Sequence, residues 1–279
     1  MKTYLDCIPC FLRQALEAAR MVSDDEDVHR RVMNKVLDEL KNSSLDDKKP
    51  PDIADRVHYM VRKAAGGVDP YEDLKREQND SALDIYPRLK DIVARSDNRL
   101  YTAVKLTIAG NIIDIGPGHK IDIEKTVEEV LEKELVIDNY DNFRRSIESG
   151  KDIFILADNA GEIVFDKVLL EETTEKNITF FVKSGPILND AMEKDARYVG
   201  IDELAEVDVV SNGMPSSAPK RDSEEFIERM SEADMIISKG QGNYEALSEV
   251  DTNIFFLLQA KCPVIADDIG VDVGDLILK

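Results

Sequence analysis

Apolar residues recur every three or four positions through the first half of the chain. In "CFLRQALEAARMV", Phe11, Leu12, Ala15, Leu16 and Ala19 fall on one side of a helix. "DVHRRVMNKVLDELK" repeats the pattern through Val28, Val32, Val36, Leu37 and Leu40. "IADRVHYMVRKAAGG" repeats it again and stops on Gly66-Gly67. Helices are also expected over 70–93 and 100–113, and no strand before about Leu135. From about Val136 the texture changes to short apolar runs: "DIFILAD", "ITFFVKS", "EVDVVSN", "DMIISKG", "NIFFLLQ" and "CPVIADD". Helix-like segments separate them, at 162–172, 189–196, 223–233 and 244–248. Strands alternating with helices build a mainly parallel sheet covered on both faces. The expected fold is α/β: a helical N-terminal domain, 1–135, followed by a Rossmann-like three-layer α/β/α domain, 136–279.

Composition narrows the class. Of 279 residues, 43% are hydrophobic, enough for a sizeable core. A formal net charge of −21 and a pI of about 4.6 argue against nucleic-acid and anionic-membrane partners, both of which require Lys and Arg on phosphates. A phosphorylated small molecule would need a locally positive site, and a metal ion is the simplest way to build one. No apolar run approaches the ~18 residues of a membrane span. The start lacks the basic, apolar, small-residue order of a signal peptide, and three cysteines make no disulfide scaffold. A cytoplasmic enzyme is the expected class.

In parallel sheets, ligands bind beyond the carboxyl ends of the strands. There the sequence places Asp158-Asn159, then Lys183 with Asn189-Asp190 opening the next helix. Asn212-Gly213, Lys239 with "GQGNYE", and Asp267-Asp268 follow later strands. Each turn taken alone is explained by helix capping, worth about 1 kcal/mol. Repeated at neighbouring strand ends, these side chains converge on one crevice. Asp158, Asn159 and Asp190 are hard oxygen ligands suited to Mg²⁺ or Mn²⁺. Lys183 and Lys239 then fit as phosphate partners, and the amides of Gly161 and Glu162 sit at a helix N-terminus that attracts anions.

Several better-known motifs fail. "GQGNYE" has Glu245 where a dinucleotide fingerprint has its third glycine, and "NIFFLLQA" ends without the expected acidic residue. There is no Walker sequence and no G-x-S-x-G elbow. The strand-end Asp-x-Asp of haloacid-dehalogenase phosphatases is broken by Ala160.

"LADNAGEIVFDKVLLE", "VKSGPILNDA" and "SKGQGNYEAL", with "DPYEDLKREQNDSAL" and "AGNIIDIG" before them, resemble the damage-control phosphatase family, long labelled domain of unknown function 89. "DCIPC" resembles its archaeal-type branch, which carries an N-terminal C-x-x-C. The resemblance spans nearly the whole chain. It implies a metal-dependent phosphatase of small phosphorylated metabolites, sugar phosphates or damaged cofactor precursors, with one divalent cation (Mg²⁺, Mn²⁺, Co²⁺ or Ni²⁺). By motif, the family's Asp-Asn pair and later Asp map onto Asp158, Asn159 and Asp190. Two other classes stay open: an S-adenosylmethionine-dependent protein carboxyl methyltransferase, an activity proposed within the family, and a non-catalytic metal- or metabolite-binding protein.

Asn111 and Asp114 lie three apart and share a helix face; they either reach the crevice or terminate their helix, and the resemblance favours the crevice. Glu162 has three readings: a general base, a support for a ligand, or a helix N-terminal charge. Asn189 or Asn243 would orient a phosphate, and Gly161 would donate its amide. Asp158 would be a ligand rather than a nucleophile. His119 receives no role. Cys7 and Cys10 admit zinc, redox and structural readings, the last slightly ahead.

Overall fold

The structure, a computed structural model, describes residues 1–45, 48–64, 66–113, 122–211 and 219–279. Three amphipathic helices come first: α1 (Cys7–Val22), α2 (Glu26–Asn42) and α3 (Pro50–Ala64). Their apolar stripes close on each other and form a core of Phe11, Ala15, Val32, Val36, Ile53 and Val57 with Tyr71.

The next three helices, α4 (Glu72–Arg95), α5 (Arg99–Ile112) and α6 (Ile123–Glu132), belong to a different core. Every residue of α5 from Ala103 to Asn111 is buried, as expected of a helix walled in on all sides. Lys105, on this buried stretch, turns its ammonium to the C-terminal end of α6 and donates to the carbonyls of Leu131 and Lys133, both at 2.6 Å. That anchor helps fix α5, which carries Asn111 at its far end.

The second half alternates as expected: β1 (Ile137–Asp138), α7 (Tyr140–Ser149), β2 (Asp152–Leu156), α8 (Glu162–Glu171), β3 (Asn177–Lys183), α9 (Glu193–Tyr198), β4 (Glu206–Val210), α10 (Glu224–Met230), β5 (Met235–Lys239), α11 (Gly240–Leu247), β6 (Ile254–Gln259), α12 (Pro263–Ile269) and β7 (Leu276–Leu278). The sheet order is β1-β7-β6-β5-β2-β3-β4, and every neighbouring pair is parallel except β6 with β7. Side chains alternate between its faces. Ile153, Ile155, Phe180, Val182, Met235 and Ile237 pack towards the layer containing α4, α5 and α8. Phe154, Leu156, Phe181 and Ile236 pack towards α10, α11 and α12. The fold is therefore α/β with a mainly parallel sheet covered on both faces.

Three expectations are corrected. "CPVIADD" is not a strand: Pro263 opens α12, where its fixed φ and missing N–H suit the first turn, so Asp267 and Asp268 lie on a helix. The strand beyond it is β7, in "LILK". The expected helix at 189–196 begins only at Glu193; Asn189 and Asp190 precede it, and Asp190 forms an antiparallel bridge with Asn159. Nor do the cores divide at residue 135, because α4 to α6 share theirs with the sheet. Among the described residues, no helix is long and apolar enough to cross a membrane.

Candidate functional site

The chain lays β3 and β4 to one side of β2, then returns to place β5 and β6 on the other. The order reverses between β2 and β5, and connections leaving in opposite directions open a crevice there. Asp158 and Asn159 leave β2 at this point, Lys183 ends β3, and Lys239 ends β5. The bridge between Asn159 and Asp190, with Ala191 N donating to Asp158 O and Ala160 N to Asn189 O (2.8 Å each), ties the first two strand ends together. Gly161 starts α8 at φ +73°, a conformation that disfavours other residues; a Cβ there would meet Gln78 at 3.0 Å.

Two amides clamp two carboxylates. Asn111 Nδ2 donates to Asp158 Oδ2 and Glu162 Oε2, each at 3.1 Å. Asn159 Nδ2 donates to the same two oxygens at 2.9 and 3.1 Å. Paired carboxylate acceptors select the NH₂ end of each amide. Asn159 Oδ1 consequently faces away from them, and it accepts no hydrogen bond among the described residues. Glu162 takes its charge partner from below: Lys239 Nζ donates to Glu162 Oε1 and Asp166 Oδ1, both at 2.6 Å, and to Thr107 O at 3.2 Å. An ammonium has three protons, and these contacts use all of them. The structure thus puts Lys239 under the site as the counter-charge of two acids, not beside a phosphate. Both Glu162 oxygens are engaged, which fits the reading of Glu162 as a support for Asn159.

Lys183 ends β3 beside Asp190. It is buried, donates to Asn243 Oδ1 at 3.0 Å, and stands 4.0 Å from Asp190 Oδ2. Asn243 Nδ2 donates to the carbonyls of Ala157 (3.1 Å) and Lys239 (2.8 Å), so this side chain positions a cation. Gly161 N is taken by Asn79 Oδ1 at 2.7 Å, and Asn189 Nδ2 by Gln78 Oε1 at 3.1 Å; both sites brace the turn in place of meeting a ligand. Asp114, His119 and Asn212-Gly213 lie outside the described residues.

Four participants escaped the sequence reading. Gln78 and Asn79 on α4 are buried amides, and Gln78 interrupts the stripe Leu74-Gln78-Ala82, which was the available signal. Asp55 on α3 and Arg221 after β4 are buried charges. Nothing in "PKRDSEE" distinguishes Arg221 from a surface cation.

The electrostatics follow from this crowding. Burial, then Glu162 and Asp190, push the Asp158 carboxyl well above the usual carboxylate range, against Lys183 and Lys261. Burial and then Arg221 lower the Lys183 ammonium, against Asp190, Asp158 and Asp55. Burial favours a lower pKa at Lys239 too, but Asp166 and Glu162 outweigh it and the net shift is upward. Burial raises Asp55 to about 7 despite Arg221.

A divalent cation suits this donor set. Two mutually repelling carboxylates, Asp158 and Asp190, adjoin an amide oxygen that has no partner among the described residues, and a cation would offset the repulsion. Among the described residues, no three His, Cys, Asp or Glu side chains are grouped to hold a metal by themselves. Two carboxylates plus one amide therefore match an ion such as Mg²⁺, which keeps several waters. Cavities of about 300 and 730 Å³ lie elsewhere, one beside Lys90, Arg99 and Glu171, the other at the amino ends of β2, β3 and β4. Cys7 and Cys10, on the first turn of α1, are free thiols whose pKa burial raises, as in structural cysteines.

Comparison with known proteins identifies the family. The Damage-control phosphatase ARMT1-like domain matches residues 3–277. The chain is 35% identical to a damage-control phosphatase of Archaeoglobus fulgidus, over 98% of this chain and 97% of that one. It is 34% identical to a damage-control phosphatase of Pyrococcus horikoshii, over 99% and 97%. It is 38% identical to an uncharacterized protein of Methanocaldococcus jannaschii, over 98% and 93%. A crystal structure of a DUF89 family protein from Pyrococcus horikoshii superposes with a TM-score of 0.87 at 32% identity, covering 100% of this chain and 98% of that one. With a family domain matched over nearly its whole length and a fold shared with a solved relative, the chain belongs to the ARMT1-like damage-control phosphatases.

Proposed function

We propose that this phosphatase is a metal-dependent phosphomonoester hydrolase of the cytoplasm, acting on small phosphorylated metabolites, with Asp158, Asn159 and Asp190 holding one divalent cation. The observation that carries this reading is the convergence of two carboxylates and a spare amide oxygen beside a buried lysine, Lys183, at the reversal of strand order. When bound, the cation supplies Lewis acidity at a phosphate oxygen and lowers the pKa of a water.

The chain's own residues do the rest. Lys183 neutralises phosphoryl oxygens as charge spreads over them in the transition state. Asn243 fixes its ammonium, and the low dielectric of the buried site strengthens that interaction. Glu162 and Asn111 hold the Asn159 amide and the Asp158 carboxylate in place, and Lys239 anchors Glu162 from below. Asp158 acts as a ligand, and water as the nucleophile.

The test is a panel of sugar phosphates and p-nitrophenyl phosphate, with and without Mg²⁺, Mn²⁺, Co²⁺ and Ni²⁺. A parallel arm supplies labelled S-adenosylmethionine. Phosphate release that needs the metal supports the proposal. Methyl transfer without phosphate release, or silence in both arms, sinks it.

A further inference from the structure

Arg221 is an under-used buried cation. Its residue is 7% exposed, yet only one of its five side-chain N–H donors is engaged among the described residues, Nη1 to Asn243 Oδ1 at 3.3 Å. No carboxylate of those residues comes within 4.0 Å of it. Its electrostatic neighbours are Asp55 on α3 and Glu245 on α11, two acids that burial raises to about 7 each and that are correspondingly poor counter-charges. Buried arginines are ordinarily paired, because removing a guanidinium from water is costly.

The backbone holds Arg221 in place. Ser211 N donates to Pro219 O at 2.8 Å and Arg221 N to Ser211 O at 3.3 Å, so the residue is pinned to the end of β4. Its guanidinium lies beside Gly242, where a Cβ would stand 3.9 Å from Nη1, in ordinary contact. Lys183 reaches the same oxygen, Asn243 Oδ1, at 3.0 Å. Two cations therefore meet on one amide oxygen, and their repulsion is stored in the folded protein. An anion with several oxygens, set against both, would relieve the repulsion and use the idle donors. A guanidinium fork matches a phosphoryl group in geometry as well as charge.

We propose that Arg221 is a substrate-binding residue, pairing with Lys183 across Asn243 to form a two-cation cradle for the phosphoryl group. The assignment rests on the phosphatase reading and adds to it a residue outside the proposed metal ligands. The side chain grips oxygens that do not change partners during hydrolysis, so it contributes to ground-state and transition-state binding alike.

Calorimetric titration with inorganic phosphate at saturating Mn²⁺ tests it, on the wild-type protein, Arg221→Met and Arg221→Lys. Methionine keeps the aliphatic stem and removes the charge. Phosphate affinity should fall roughly tenfold or more in Arg221→Met and recover in part in Arg221→Lys. With a phosphomonoester substrate, KM should rise in Arg221→Met while kcat changes less. Unchanged phosphate affinity in a folded Arg221→Met overturns the proposal. So does a variant that fails to fold, since Arg221 would then be a structural ion. If the wild type binds phosphate and loses it with Arg221 but hydrolyses nothing, the cradle stands and the phosphatase reading falls.

Discussion

A Cβ on Gly240 would stand 1.8 Å from Asp158 Oδ2. Gly240 adopts φ +76° at the start of α11, so both its backbone and its missing side chain make room for the carboxylate. Gly240→Ala should move Asp158 and strain the turn by about 1–2 kcal/mol. Mn²⁺ affinity, read by calorimetry, should fall more than a modest drop in melting temperature would suggest. Wild-type affinity in this variant would show that Asp158 is not the ligand.

Asp158→Ala should abolish binding of Mn²⁺ and Mg²⁺ with secondary structure intact by circular dichroism. Rapid acid quench of the wild type on substrate should trap no phosphorylated Asp158. A trapped acyl phosphate would replace direct water attack with a covalent route.

The two strand-end lysines should part company. Lys183→Ala should lower kcat and kcat/KM together by roughly a hundredfold, as for loss of a charged donor used in the transition state. Lys239→Met should instead strand Glu162 and Asp166 as buried uncompensated acids and cost about 3–5 kcal/mol in urea unfolding. Equal stability losses in the two variants would contradict this division.

His58 on α3 is buried, and burial lowers its pKa to about 4. The unfolded chain, with a pKa near 6.5, binds that proton more readily. Stability from this residue is thus full above about pH 6.5 and is lost as pH falls towards 4. Between pH 7.5 and 5.0 the loss is about 2 kcal/mol. Asp55 and Glu245, raised to about 7, act with the opposite sign over 4 to 7, so the comparison must be made against His58→Gln. Urea midpoints at the two pH values should differ more favourably for pH 7.5 in the wild type than in the variant; identical pH dependence would refute the assignment.

Residues 136–279 expressed alone should not give a packed protein. That segment would strip α4 and α5 from α8 and α5 from β6, exposing apolar surface such as Phe165, which lies against Gly110 of α5. Sharp near-ultraviolet circular dichroism from the fragment would show that the sheet does not need these helices.

The proposed metal ligands stood out in the sequence because they sit where hydrophobic runs stop, and five of the six runs are strands. Periodicity gave α1 to α5 because their buried stripes are long. It misled at "CPVIADD", where four apolar positions fit a strand or a helix and Pro263 decides for the helix. It also misled at residue 135. The sequence pattern shows that a helix has an apolar face but not which sheet meets it, so α4 to α6 looked like part of a separate helical domain. Lys239 was legible as a site residue but not as a buried one, since its partners Glu162 and Asp166 lie more than seventy residues away. Arg221 was invisible because nothing in its local sequence separates a buried cation from a surface one.

Lys239 has 0% exposure and its three protons are held by Thr107, Glu162 and Asp166. Acylating reagents attack only a neutral, accessible amine, and this one is neither while the fold is closed. Its rate of labelling in a native sample therefore counts openings of the protein's centre, independent of any substrate. Surface lysines such as Lys90 would be tagged at once, whereas Lys239 would keep time.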